Sequence, residues 1–260
     1  MAIRHLTFAT REFRNSAAEL QTSAQKFGLR TEVYSPASPS IKNLRRAQPS
    51  IMSKRRGSGY WLWKPYLVNE ALQTAEDGDI IIYTDAAVHF VRDPQPLLEL
   101  ADLRSIVLFG HGARLSEYTK RDTFVLLESD ESVFWNTRML TATFQVYKAN
   151  EQSRNFVKEW LEMCSDARIL TDLENQCGLP NFPDFKAHRH DQSVLSILAK
   201  KHGIEPFPDP SQFGNSARSE LDPFPQIFDH HRRRTDFVAD LRSSLQIRTR
   251  LKKLLRRAEL

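Results

Sequence analysis

The stretch DGDIIIYTDAAV, residues 77–88, restricts the fold more than any other part of the chain. Between the turn at Gly78 and Asp79 and the acid Asp85 lie the five residues IIIYT, apolar or β-branched almost throughout. A strand with one face in water alternates apolar and polar residues, so a continuous run of this kind belongs to a strand covered on both faces. The upstream segments supply such cover. Residues 3–9 (IRHLTFA) read as a first strand and TEVYS as a second. Between them NSAAELQTSAQKFG places Ala18, Leu20, Ala24 and Phe27 at near-helical spacing, with Gly28 as the stop. Strand, helix and strand with short joins form the βαβ unit of a parallel sheet.

Downstream, GYWLWKPYLVNEALQTAEDGD predicts a helix with Pro65 near its start. Residues 105–110 and 142–148 predict further strands. NEQSRNFVKEWLEMCSD carries Phe156, Val157, Trp160, Leu161 and Cys164 on one helical stripe, and HRHDQSVLSILAKKHG is a helix closed by Gly203. The Pro-, Ser- and Arg-rich residues 35–59 read as a surface loop with a short helix, and residues 205–230 as an ordered, irregular wrap. The expected fold class is α/β, a mostly parallel sheet with helices on both faces. One domain is expected over 1–235 and a basic amphipathic helix over 236–260.

Composition narrows the classes. A formal charge of +5 over 260 residues points to an anionic partner. Two cysteines, Cys164 and Cys177, argue against a disulfide framework and a cysteine-based zinc site. The first residues lack the apolar core of a signal peptide, and no run reaches the roughly 20 apolar residues of a membrane span. The expected place is the cytoplasm, with a peripheral position on the inner membrane face if the basic tail engages lipid.

Four segments hold the candidate chemistry. Asp85 ends the strongest strand, where open α/β sheets bind ligands, and the small Ala86 and Ala87 leave room beside it; an Asp there is also a common turn residue or helix cap. KRRGSGYWLWKPY sets Lys54, Arg55, Arg56 and Lys64 around Tyr60, Trp61 and Trp63, cations for a diphosphate and rings for a base or sugar. The alternative is a solvated basic loop beside two core tryptophans. HRHDQS offers Asp191 and Gln192 at a helix start, as a cap or as site residues. FDHHRRR offers His230 and His231, metal-ligand candidates or plain polar loop residues.

Taken in order, SAQKFG, RRGSGYWLWKPYLV, DGDIIIYTDAAV, EYTKRDTF, NEQSRNFVKEWL and HRHDQSVLSILAKKHGI resemble the GT-A type glycosyltransferases, in particular bacterial enzymes that build surface polysaccharides. The resemblance spans residues 3–204. It implies transfer of a sugar from a nucleotide-diphosphate donor to a saccharide or lipid-linked saccharide acceptor. Asp85 then stands in the Asp-x-Asp region, whose carboxylates hold a divalent cation (Mn2+ or Mg2+) shared with the donor. Ala87 occupies the place of the second Asp. Asp85 accordingly shares the metal with His230, ahead of His231 and His89, or Lys and Arg neutralise the diphosphate without a cation. The resemblance further puts Thr10 and Arg11 near base and ribose, Arg55, Arg56 and Lys64 on the diphosphate, and Gln192 on the sugar. Asp191 falls at the reacting centre, as a positioning carboxylate or general base. Lys120, Arg121 and Asp122 line the acceptor side or form a helix-start ion pair.

The tail repeats Leu241, Leu245, Ile247, Leu251, Leu254 and Leu255 on one stripe among arginines and lysines, suited to an anionic lipid surface or to docking on the body of the protein. A nuclease using Asp79, Asp85 and Asp191 on a metal is the competing reading, with a non-catalytic nucleotide-binding relative as a third. Nucleic acid is not the expected partner, because no single element gathers the basic residues.

Overall fold

A computed structural model of the chain describes residues 1–231. The helix expected over 236–260 lies outside the described residues. Five strands form the main sheet in the order β2-β1-β3-β6-β5: β1 (Ile3–Phe8), β2 (Thr31–Tyr34), β3 (Ile80–Thr84), β5 (Ile106–Arg114) and β6 (Arg138–Lys148). β1 runs parallel to β2 and β3, while β6 is antiparallel to both β3 and β5. Four strands thus share one direction. A second, two-stranded sheet pairs β4 (Val88–Phe90) with β7 (Phe228–His230).

The uninterrupted apolar character of β3 has the predicted cause. Ile81 and Tyr83 enter one core layer, with Leu67 and Val68 of α3 (Trp63–Thr74), Phe156 and Trp160 of α5 (Glu151–Cys164) and Val194 and Leu198 of α6 (His190–Lys201). Ile80 and Ile82 enter the other, against Leu20 and Ala24 of α1 (Arg14–Gln25) and Leu97 and Ala101 of α4 (Gln95–Leu103). Successive side chains of a strand point to opposite faces, so a strand between two helical layers has no polar side. Pro65 sits in the first turn of α3, where backbone N–H groups have no intrahelical partner to lose.

Three boundaries differ from the expectation. Residues 35–59 are not mainly a surface loop: α2 (Pro39–Ala47) and a short turn, Pro49–Met52, each begin with proline and bury Ile41, Leu44, Ile51 and Met52. The strand predicted at 105–110 continues to Arg114, and that predicted at 142–148 begins at Arg138. Residues 205–231 do wrap irregularly, held where Phe207 N–H donates to Leu108 O (2.8 Å) and by burial of Phe224, Ile227 and Phe228.

One irregularity shapes the region beyond β3. The β5–β6 pairing jumps from Leu108↔Gln145 to Phe109↔Thr141, leaving residues 142–144 of β6 out of step with β5. A bulge of this kind turns backbone groups away from the ladder. Ala142 O there accepts from Gln145 Nε2 (3.0 Å) and from a lysine of α3.

Candidate active site

That lysine is Lys64, in the first turn of α3. Its side chain is 3% exposed, and its Nζ lies 3.2 Å from Asp85 Oδ1, 3.2 Å from Asp191 Oδ2 and 3.1 Å from Ala142 O. Ala142 O accepts a hydrogen bond from Nζ, and the two carboxylate oxygens pair with it as ions. Three separate elements converge here: the start of α3, the carboxyl end of β3 and the first turn of α6. The residues are 21 to 127 positions apart in the chain, with Lys64, Asp85 and Asp191 as the members.

Asp85 is the accessible member, its side chain 35% exposed. Tyr83 OH donates to its Oδ1 (2.7 Å) and Thr143 Oγ1 to its Oδ2 (3.3 Å), while its backbone N–H donates to Thr143 O (3.0 Å). Burial, with Asp85 adding to it, pushes the Tyr83 hydroxyl well above its ordinary range, so it remains a donor. Asp191 is 5% exposed. Burial pushes its carboxyl up to about 6, against the opposing pull of Lys64 and with help from Asp85. Burial also works against charge on Lys64, but the Coulombic attraction of Asp191 and Asp85 outweighs it and raises the pKa, so the ammonium stays charged. Next to Asp191, the Gln192 Nε2 amide is buried without a hydrogen-bond partner. A buried donor left unpaired is costly unless something outside the chain satisfies it.

A second group adjoins this one through His190. Gly57, Ser58, Gly59, Tyr60 and Trp61 all have positive φ (54, 53, 98, 52 and 60°), one turn of left-handed helix closed by Tyr60 N–H to Arg56 O at 2.8 Å. L-residues pay about 1–2 kcal/mol each in that conformation, and such strain concentrates at functional sites. The turn presents Tyr60 and Trp61 to His190, with ring centroids 4.9 and 5.3 Å away and Trp61 stacked. His190 has positive φ as well (52°). Burial lowers its pKa, so the ring is neutral at pH 7. Leu170 O, 2.8 Å from Nδ1, can only accept, which places the proton on Nδ1 and leaves Nε2 to accept from Arg56 Nε (3.0 Å). Arg56 also pairs with Asp172 Oδ2 at 3.3 Å.

Gly59→Ala tests how tightly this turn is set. A Cβ there lies 2.5 Å from Met52 Sδ and 3.0 Å from its Cα, on a φ of +98°. The expected loss is about 2–4 kcal/mol, from overpacking and backbone strain together. It is read as a lower urea midpoint. Gly112→Ala, whose Cβ meets nothing within 4 Å, is the control and shifts stability by about 0.5 kcal/mol or less.

The remaining expected site residues divide. Thr10 and Arg11 follow the carboxyl end of β1, and the preceding Ala9 packs on Ala86, which brings them beside the residue after Asp85. Arg55 is exposed on the segment entering the left-handed turn. Ala86 does not leave room for a ligand: it is 5% exposed against Ala9 and Ala17, and is small because α1 approaches closely there. Lys64, expected on a diphosphate, pairs with Asp85 and Asp191 and donates to Ala142 O. Lys120, Arg121 and Asp122 anchor a loop. Lys120 Nζ donates to Leu173 O (2.5 Å), Asp122 accepts from the Gln176 and Cys177 amides (2.9 Å each), and Arg121 pairs with Asp130 and lies over Phe182. Asp79, needed by the nuclease reading, sits at the opposite end of β3 and accepts from Ala2 N–H (2.6 Å). Its carboxylate does not join Asp85 and Asp191. Of the residues the sequence left unmarked, Asp172, Tyr83 and Thr143 contact the two groups; no local pattern distinguishes them.

The expected cation site is not assembled. Asp85 has Lys64, Tyr83 and Thr143 on its oxygens, Ala87 supplies no carboxylate, and its carbonyl accepts from His231 N–H (2.9 Å). β7 brings His230 into register with Val88, but its ring contacts Phe213 and Phe144, with centroids 4.8 and 5.3 Å away. His89 and His231 face each other at 5.2 Å. Among the described residues no three His, Cys, Asp or Glu side chains gather closely enough to hold a metal ion. The residues present do not fit a divalent-cation centre.

No family model and no curated protein sequence matches the chain. Solved structures do. Mouse xyloside xylosyltransferase 1 in its apo form superposes with a TM-score of 0.50 at 13% identity, covering 89% of this chain and 98% of that one. The galactosyltransferase LgtC in complex with donor and acceptor sugar analogs gives 0.44 at 17% identity, over 88% and 87%. A glycosyltransferase involved in glycosylation of the major capsid of PBCV-1 gives 0.43 at 10%, over 88% and 94%. The xylosyltransferase superposition carries the conclusion on architecture: the chain has a GT-A-type glycosyltransferase fold.

Proposed function

We propose that the chain transfers a glycosyl group from a nucleoside-diphosphate sugar to a hydroxyl of a saccharide or lipid-linked saccharide acceptor. The observation that carries this reading is the meeting of Asp85, Lys64 and Asp191 at the carboxyl edge of the sheet, where α/β folds place their ligands. A fold alone does not assign an activity, so the reading rests on that cluster.

The residues divide the work by position. Thr10 and Arg11, beyond β1, meet the base and ribose. Arg55 and Arg56 meet the diphosphate, whose oxygens suit guanidinium forks. Asp85, half-exposed, accepts from donor hydroxyls, and Gln192 donates its unpaired amide to the transferred sugar. Ala87 follows as a partly exposed residue. Asp191, with a carboxyl pKa near 6, is charged at neutral pH and accepts the hydrogen of the reacting hydroxyl. As the new glycosidic bond forms, the bond to the diphosphate breaks and its electron pair leaves on phosphate oxygen.

Thermal-shift titration with UDP, GDP, CMP and their sugars tests the reading, followed by mass detection of released nucleotide. Stabilisation by one nucleotide class with donor hydrolysis supports transfer. Stabilisation without turnover supports the non-catalytic relative, and response to none removes both. Among the described residues no helix is long and apolar enough to cross a membrane. Contact with an anionic membrane surface is proposed for residues 236–260 alone; equal vesicle flotation with and without them removes it.

A further inference from the structure

We infer that the Lys64 ammonium is the resident positive charge at Asp85, in the place where GT-A folds carry a divalent cation, so that this chain binds nucleoside diphosphates independently of such ions. The inference deepens the donor-site reading and rests on it. Its ground is the donor set. A metal bridging protein and diphosphate needs carboxylate oxygens facing outward, and usually six oxygen or nitrogen ligands in all. Here Oδ1 of Asp85 is shared by Tyr83 OH (2.7 Å) and Lys64 Nζ (3.2 Å), and Oδ2 receives Thr143 Oγ1 at 3.3 Å. The second motif position is Ala87, which has no ligand atom in its side chain.

Lys64 cannot step aside easily. Its Nζ is held by Asp191 Oδ2 and Ala142 O as well, and it is 3% exposed. Displacing it strips a buried carboxylate of its partner, which is strongly unfavourable. A divalent ion arriving at Asp85 also meets a fixed like charge across a single carboxylate, a repulsion that solvent at the partly exposed Asp85 screens only in part. The bulge at residues 142–144 supplies the third acceptor, so the backbone itself is shaped to hold an ammonium at this point. The charge on a leaving diphosphate then falls to guanidinium groups, of which Arg55 and Arg56 lead into the site. Lys64 is in these terms a positioning residue: it fixes two carboxylates and leaves the phosphates to arginine.

Calorimetric titration of the full chain with UDP and with GDP, each in EDTA and in saturating MnCl2, tests this. The expected result is a dissociation constant that changes less than about twofold between the two conditions. Binding seen only with Mn2+, or tightened about tenfold or more by it (about 1.4 kcal/mol) and lost in Asp85→Asn, overturns the inference. If neither nucleotide binds in either condition, the donor reading fails, and the cation question is settled separately by Mn2+ titration followed by EPR. A spectrum of free ion throughout supports a lysine-held site. Stoichiometric binding that Asp85→Asn abolishes overturns it.

Discussion

Lys64→Met is expected to lower stability by about 3–5 kcal/mol, because it leaves Asp191 buried with its counter-charge removed. That is a large part of the roughly 5–15 kcal/mol that holds a domain together. Methionine fills most of the lysine's volume, so the loss reports charge more than cavity. The double variant Lys64→Met/Asp191→Asn separates the two. Once the carboxylate is neutral, nothing uncompensated remains beyond the half-exposed Asp85, and the double variant is expected to recover at least about 1 kcal/mol relative to Lys64→Met. Additive losses in urea unfolding contradict the pairing. The Lys64 contribution has a definite pH range. Its folded pKa lies above its unfolded value of 10.5, so the stabilisation is complete at neutral pH and disappears only as pH rises through the folded value in the alkaline range.

Asp191→Asn is expected to reduce transfer about 10²–10⁴-fold, the usual contribution of a positioned proton acceptor, with a folded protein and unchanged nucleotide affinity. Stability falls less than in Lys64→Met, because the buried Lys64 ammonium loses Asp191 but keeps Asp85 as a counter-charge and Ala142 O as an acceptor. The pH behaviour distinguishes this role from a structural one. With the carboxyl near 6, wild-type turnover declines below about pH 6 as Asp191 takes a proton, whereas the residual turnover of Asp191→Asn lacks that limb. Stability runs the other way. The folded pKa of Asp191 is raised above its ordinary 3.8, so its stabilising contribution is complete below about pH 4 and is lost as pH rises through 6. The stability of wild type relative to Asp191→Asn therefore decreases across that window. A variant that turns over at the wild-type rate, or that fails only by unfolding, contradicts the assignment.

Much of the scaffold was readable from local pattern, because the physics there is local. The all-apolar IIIYT run requires two-sided cover, and the βαβ order of residues 3–34 requires parallel neighbours; both hold in the sheet. Where the reading failed, a non-local relation decided. Proline and serine density made residues 35–59 look exposed, yet Ile41, Leu44, Ile51 and Met52 are spaced to meet one core face once Pro39 and Pro49 start their helices. Ala86 invites a ligand on paper, while in space it admits α1. The sequence distinguished Asp85 and Asp191 as carboxylates at a strand end and a helix start. The resemblance put them in one site with Lys64 on the diphosphate, but not Lys64 between the two carboxylates, because that link depends also on a bulge in β6 that exists only as a register shift between two strands. Lys120, Arg121 and Asp122 show the converse: the helix-start ion pair forms, Lys120 to Asp122 at 3.7 Å, and the same charged motif binds a neighbouring loop. The left-handed turn at Gly57–Trp61 was not read from the sequence, and its meeting with His190 depends on residues over 100 positions away.

Crystallographic localisation of a bound nucleoside diphosphate tests the central claim most directly. The molecule offers a competing polar cleft of about 510 Å³, lined by Gly112, Arg114, Glu117, Asn136 and Arg138, whose two arginines also suit an anion. The account predicts density for the diphosphate beside Asp85, with the base toward Thr10 and Arg11 and the phosphates within reach of Arg55 or Arg56. Density confined to the Arg114–Arg138 cleft, with the Lys64 cluster untouched, contradicts it.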